Sequence, residues 1–292
     1  MADPGAAGGA WRVDAHRHYW DPARGDYSWM PPGGPLARPY LPSSRRAGDA
    51  EAGIAAAVVV QAAPTIEETR WLFRHADQEA AICGVVGWVD LDVTDASRQI
   101  TAIRHPRLVG VRPMIQDIPD DEWITRPQVV RNLAAVARAG LRFDALVCTR
   151  HLPHLIEAIH PVPDLVVVIN HLAKPDYSAI DETWARCLRD LARRENTFIK
   201  ISGMATEVPG AAQPQRFHDH VQFALETFGP SRCMAGSDWP VSTLALDFTR
   251  SCELLDELFS GLSPAEYRQV WREASVRAYG LNVRDDRAAI PH

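Results

Sequence analysis

Val13-Asp14-Ala15-His16-Arg17-His18 ends the first β-branched run of the chain and sets two imidazoles two residues apart. In an extended segment alternate side chains share a face, so both rings can meet at one metal ion or one substrate oxygen. Neutral imidazole is the commonest nitrogen ligand of zinc-like ions. Two surface histidines on an edge strand would give the same pattern, and the pair alone does not separate the two readings. Its position does more: it opens the folded region, and His171 and Asp238 stand far downstream at the ends of other strand-like runs. His218-x-His220 has the same spacing but lies in a helical run, where residues two apart point away from each other.

Working outward, eight apolar runs rich in Val, Ile and Phe read as strands, at residues 11–16, 55–61, 82–89, 108–114, 141–147, 165–171, 197–202 and 233–238. Helical stretches such as 65–78 and 217–227 lie between them, which is the pattern of βα units around a parallel sheet. Eight is the number that closes a barrel. The reading is therefore an α/β chain forming a single, distorted (β/α)8 TIM barrel over residues 11–282. Two helices after the eighth strand, 244–258 and 264–279, are expected to close it, with loose tails at 1–10 and 283–292. Thr65-x-x-Glu68 reads as a capping box, and Ser263-Pro264-Ala265-Glu266 supplies an N-cap, a first-turn proline and an acidic first turn.

Composition narrows the function classes. The net charge of −6 leaves no basic footprint for nucleic acid. The five cysteines are scattered, without a Cys-x-x-Cys pair, which suits buried thiols in a reducing, cytoplasmic setting. Residues 1–10 lack the basic and apolar regions of a signal peptide, and no apolar run approaches membrane length. The expected partner is a small molecule, with neither nucleic acid nor membrane, and the expected assembly is a monomer or small homo-oligomer.

Barrel chemistry sits where strands end and βα loops begin. That rule selects His16 and His18 from the first strand, Gln61 from the second, Trp88 and Asp90 from the third, and Arg112 from the fourth. Asp144, His171 with Lys174, Lys200 with Ser202, and Asp238 come from the remaining four. The set is too polar for a packed core. Arg112 either pairs with the acidic loop 116–127 or grips a carbonyl or carboxylate oxygen. Asp144 either holds a neighbour or touches substrate. Lys200 enters the barrel if it shares a face with Ser202 and otherwise snorkels outward. Asp238, in Ala235-Gly236-Ser237-Asp238-Trp239-Pro240, either caps the next helix or stays ionised beside imidazoles and takes a proton from water. The long proline-rich segment 19–46, with Trp20, Trp29 and Tyr40, and the acidic loop 116–127 follow the first and fourth strands, as lids or binding loops do.

Taken together, several stretches resemble the amidohydrolase superfamily, and within it the branch rich in sugar lactonases. They are residues 13–22, Tyr27-Ser28-Trp29, Val60-Gln61-Ala62-Ala63-Pro64 with Glu68-Thr69, and Gly110-Val111-Arg112. Asn170-His171-Leu172-Ala173-Lys174-Pro175, Lys200-Ile201-Ser202-Gly203 and Gly236-Ser237-Asp238-Trp239-Pro240 complete the set, which covers nearly all of residues 11–282. The resemblance implies metal-type positions at His16, His18, His171 and Asp238, a divalent zinc or manganese ion, and Asp238 as general base. Several relatives in this branch are thought to open lactones without an obligatory metal. Asn170 stands where relatives often have Asp, which replaces a charged acceptor beside His171 with a neutral amide.

The reaction expected is hydrolysis of a small polar lactone, a sugar lactone such as an L-fucono- or L-rhamnono-type lactone, in carbohydrate metabolism. Asp238, His171 and Arg112 are the expected catalytic groups; Trp29, Gln61, Trp88, Arg112, Asp144 and Lys174 are expected to contact substrate. Two alternatives stand beside it: a metal-dependent decarboxylase or C–C hydrolase on the same barrel, and a catalytically silent barrel used for binding or scaffolding.

Overall fold

Eight parallel strands, each hydrogen-bonded to the next in chain order, form the sheet: β1 Arg12–Arg17, β2 Ile54–Val60, β3 Ile82–Gly87, β4 Leu108–Val111, β5 Arg142–Ala145, β6 Val167–Ile169, β7 Thr197–Ile201 and β8 Cys233–Ala235. The structure, a computed structural model, describes residues 11–208 and 213–283. The expected tails lie outside the described residues, apart from Val283. The ring is joined beyond the end of β8, where Asp238 N donates to His16 O at 2.8 Å and His18 N to Trp239 O at 2.7 Å. A parallel bridge between Arg17 and Trp239 completes the seam. The expected (β/α)8 barrel is present, and its distortion sits at this seam.

Several strands stop short of the expected runs, because their last residues turn away from the sheet to carry side chains into the mouth. The helix expected at 65–78 runs Ile66–Gln78, and that at 217–227 runs Pro214–Phe228. The helix expected at 244–258 begins later, at Phe248, behind a 3-10 turn over Val241–Leu244. The last expected helix is divided into Pro264–Arg268, a π turn Gln269–Glu273 and Ala274–Tyr279. The π turn buries Val270 and Trp271 in one stretch, and it packs against β1 and β8. Ser263 and Glu266 form the expected reciprocal capping box. Thr65 caps its helix through Glu68 N, but the Glu68 carboxylate reaches back to Ala62 N and Ala63 N, so only half of that capping box forms.

Two apolar clusters divide the interior. Val59, Val111, Ile169, Ile199 and Ile201 face outward against the helices, whereas Val13, Ala15, Val58, Val60, Val168, Phe198 and Met234 fill the barrel. Strict alternation from Val13 would therefore turn His16 outward. The register between β1 and β2 shifts between Asp14 and Arg17, three residues against two on the partner. This bulge puts Ala15 and His16 on the same side and brings His18 in with them. It also leaves Asp14 and Arg17 together outside, 2.9 Å apart, where Arg17 goes on to Asp49 in the helix Arg46–Glu51.

Candidate active site

Three imidazoles and one carboxylate meet at the C-terminal mouth of the barrel. Asp238 Oδ1 lies 3.3 Å from His18 Nε2, 3.7 Å from His16 Nε2 and 3.9 Å from His171 Nε2. All four residues are buried. Asp238 sits at φ 54°, in the left-handed region, and its side chain faces the histidines instead of capping the following turn, for which no side-chain cap is present. His171 begins a run of four left-handed residues, His171 to Lys174. For residues other than glycine this conformation costs about 1–2 kcal/mol each. It is held by Ala173 N to Asn170 O, Lys174 N to His171 O, and Trp184 Nε1 to Leu172 O at 2.7 Å. The left-handed turn brings His171 and Lys174 to the same cavity.

Two glycines make this approach possible. A Cβ on Gly203, at φ 69°, would stand 2.5 Å from His171 Nδ1, and one on Gly236 would stand 2.7 Å from the His16 Cβ. Asp14 fixes the other side of the carboxylate loop: its oxygens accept from Ser237 N at 2.9 Å, Ser237 Oγ at 2.6 Å and His16 N at 3.1 Å. One buried anion thus ties β1 to the turn that carries Asp238.

Each ring is held through its second nitrogen as well. His18 Nδ1 donates to Val60 O at 2.8 Å, which leaves His18 Nε2 bare toward Asp238. His171 Nδ1 meets Ser202 Oγ at 2.9 Å. His16 Nδ1 meets Lys200 Nζ at 3.2 Å, while its Nε2 lies 3.2 Å from His18 Nε2 and 3.4 Å from Arg112 Nη1, so a cationic donor faces each nitrogen of this ring. Burial pushes the His16 imidazole well below its ordinary value, with Lys200 and the other two histidines adding to the shift. Burial likewise lowers His18 and takes His171 down to about 3, so all three rings are neutral at neutral pH. Burial alone would raise the Asp238 carboxyl, but His171 and His18 outweigh it and hold it below the usual carboxylate range.

A bare imidazole nitrogen facing a carboxylate oxygen at 3.3 Å calls for a cation or a proton between them. His16, His171 and Asp238 offer ligand atoms within 4.8 Å of one another, and His18 Nε2 lies beside them, so the residues present fit a divalent ion of the zinc type.

The cavity over this centre encloses about 170 Å³ and is walled by His18, His171 and Asp238 together with Arg112, Lys174 and Trp29. Arg112 Nη1 is 3.4 Å from His16 Nε2, and its Nη2 donates to Gln61 O at 2.5 Å. Gln61 Nε2 returns a bond to Arg112 O at 2.7 Å. Arg112 therefore points into the centre; of the acidic-loop carboxylates, Asp120 is taken by Arg126 and Asp121 by Arg150. Gln61, expected at substrate, is buried beneath as the partner that holds Arg112. Asp144 also lies below the cavity: it accepts from Lys200 Nζ at 2.8 Å, Tyr279 Oη at 2.9 Å and Asn170 Nδ2 at 3.0 Å. Lys200 shares the inward face with Phe198 and Ser202, and both it and Asp144 are fully buried. Trp88 lines a neighbouring cavity and not this one. Asp90 lies there too.

Glu207 was not among the expected residues. It lines the catalytic cavity and pairs with Lys174 at 2.6 Å. Gln116 and Thr206 join the same wall. Their only signal in the chain is position in the loops after β4 and β7.

A closed parallel barrel with imidazoles and a carboxylate gathered at its C-terminal mouth defines a water-activating α/β-barrel enzyme. The chain belongs to the amidohydrolase family, whose model matches residues 13–281. It is 40% identical over 240 residues to an L-fucono-1,5-lactonase of Burkholderia ambifaria, covering 81% of this chain and 83% of that one. An L-fucono-1,5-lactonase of Burkholderia multivorans is 32% identical over 288 residues, 94% of this chain and 97% of its own. Among solved structures, an amidohydrolase from Burkholderia multivorans with bound zinc superposes with a TM-score of 0.87 at 31% identity, covering 93% of this chain and 99% of that chain.

Proposed function

We propose that the protein hydrolyses a small polar lactone, most simply a sugar 1,5-lactone, to its hydroxy acid. The observation that carries this is the Asp238 carboxylate, ionised and facing three neutral imidazoles, across a one-ring cavity from the cations Arg112 and Lys174. The relatives named as L-fucono-1,5-lactonases support the substrate class.

In this mechanism a water held against His16 and His18 attacks the lactone carbonyl while Asp238 takes its proton. Arg112, His171 and Lys174 face the carbonyl oxygen and stabilise the negative charge that develops on it. Collapse of the tetrahedral intermediate breaks the ring C–O bond, and protonated Asp238 returns its proton to the departing alkoxide. A divalent ion held by His16, His18, His171 and Asp238 would supply Lewis acidity and a lowered pKa for bound water. A lactone makes a modest demand on it, because ring opening relieves strain and the carbonyl is already activated.

The test is a panel of sugar lactones, L-fucono-1,5-lactone included, followed through acid release with a pH indicator. Asp238→Asn is expected to lower kcat by about two to four powers of ten, with an unchanged thermal melt. Full activity in that variant overturns the mechanism, and silence of the wild type across the panel overturns the lactonase reading.

A further inference from the structure

Beside the catalytic cavity lies a larger one of about 400 Å³, walled by Trp29, Trp88, Trp123, Asp90, Ile118 and Asp117 among others. The two cavities share Trp29, Met114 and Asp117 as walls. At about 30 Å³ for each water in the liquid, the catalytic cavity has room for one hydroxylated ring and little more. A single-ring lactone seated there leaves the larger cavity empty.

We propose that this neighbouring cavity is a subsite for a second sugar ring, so that the preferred substrate is a lactone carrying a glycosyl substituent. The proposal rests on the lactonase reading and narrows it. Indole faces offer the flat apolar surface on which the C–H face of a pyranose lies, and carboxylates accept its hydroxyls. Trp29 is fixed for that use: its Nε1 donates to Ala62 O at 2.7 Å and its ring stands edge-on to Trp20 at 5.4 Å, while the residue remains 38% exposed. Trp123 is held through Nε1 to Asp92 at 3.2 Å. Asp90 and Asp117 also set the polarity. Two carboxylates repel an anion, so this cavity suits the neutral second ring, and the carboxylate released by hydrolysis forms at the other end, beside Arg112 and Lys174. Only the lactone ester bond breaks; the glycosidic bond stays intact.

The experiment compares kcat/KM for L-fucono-1,5-lactone with its three mono-glucosylated forms, substituted on O2, O3 or O4. At least one glucosylated lactone is expected to exceed the parent about tenfold. Ile118 lines the larger cavity and not the catalytic one, and Ile118→Trp, which fills the subsite, is expected to remove that advantage while parent turnover stays within twofold. Parent turnover reports that the variant has folded, and Ile118→Phe replaces it if it has not. If the parent is hydrolysed and no glucosylated form is preferred, or if the preference survives the filled subsite, the inference is overturned and the lactonase reading stands. A wild type inert toward all four lactones overturns the inference, and silence across the whole panel of sugar lactones overturns the lactonase reading as well.

Discussion

Lys200 governs His16 without touching the cavity. Its Nζ donates to His16 Nδ1 and to Asp144, and burial lowers its own pKa against the pull of that carboxylate. Lys200→Met leaves Asp144 with Tyr279 and Asn170 but without its cation; breaking a buried pair in this way costs about 3–5 kcal/mol. Urea denaturation is expected to show that loss, and an unchanged midpoint would mean the pair contributes nothing. The pH profile follows from the same groups. Asp238 is held below the usual carboxylate range and the three histidines below theirs, so base and imidazoles keep one protonation state through neutral pH. Around neutral pH, log kcat/KM on a lactone is expected to be flat. A limb near 6.5, the ordinary histidine value, would show that one of these rings titrates freely.

Among the elements, the turn after β2 depends on one carboxyl group. Glu68 accepts from Ala62 N and Ala63 N, and Ala62 O in turn receives Trp29. Burial pushes Glu68 from its usual 4.5 up to about 8, against the hydrogen bonds from Ala63 and Ala62. The folded chain therefore binds more protons than the unfolded chain between those values, and stability falls as pH rises across that window. Glu68→Gln removes the pH-dependent part and sets an amide nitrogen against backbone donors, at about 1–3 kcal/mol. Thermal melts from pH 5 to 8 are expected to be lower and flatter for the variant; a parallel pair of curves would refute the titration. Thr65-x-x-Glu68 was legible as a helix start because capping is local. That Glu68 leaves its capping role for the strand-two turn was not, since Ala62 and Ala63 compete for it only once the chain turns back.

For the whole molecule, the barrel brings together side chains that would hold an ion, from β1, the turn after β6 and the turn after β8. An ion that binds only the folded chain adds about 2.7 kcal/mol at a hundred times its Kd. Zinc is expected to raise the melting temperature of the wild type and not of His171→Ala, read by calorimetry. Chelated protein is expected to keep lactone turnover, since in the proposed mechanism Arg112 and Lys174 polarise the carbonyl; complete loss restored by zinc would assign that polarisation to the ion.

Strand number, parallel order and the rim location of His16, His18, Arg112, His171 and Asp238 follow from the chain alone, because apolar periodicity and barrel geometry are local signals repeated eight times; the inward face of Lys200 did not, since parity left both directions open. The family, too, was legible in motifs that survive without coordinates. Tertiary structure decided the rest. The β1 bulge that turns His16 inward, the division of Gln61 and Asp144 to the floor, the move of Trp88 to a second cavity and the pairing of Glu207 with Lys174 all depend on distances between segments far apart in sequence. Such contacts are set by how strands register and loops close, which no single stretch of chain encodes.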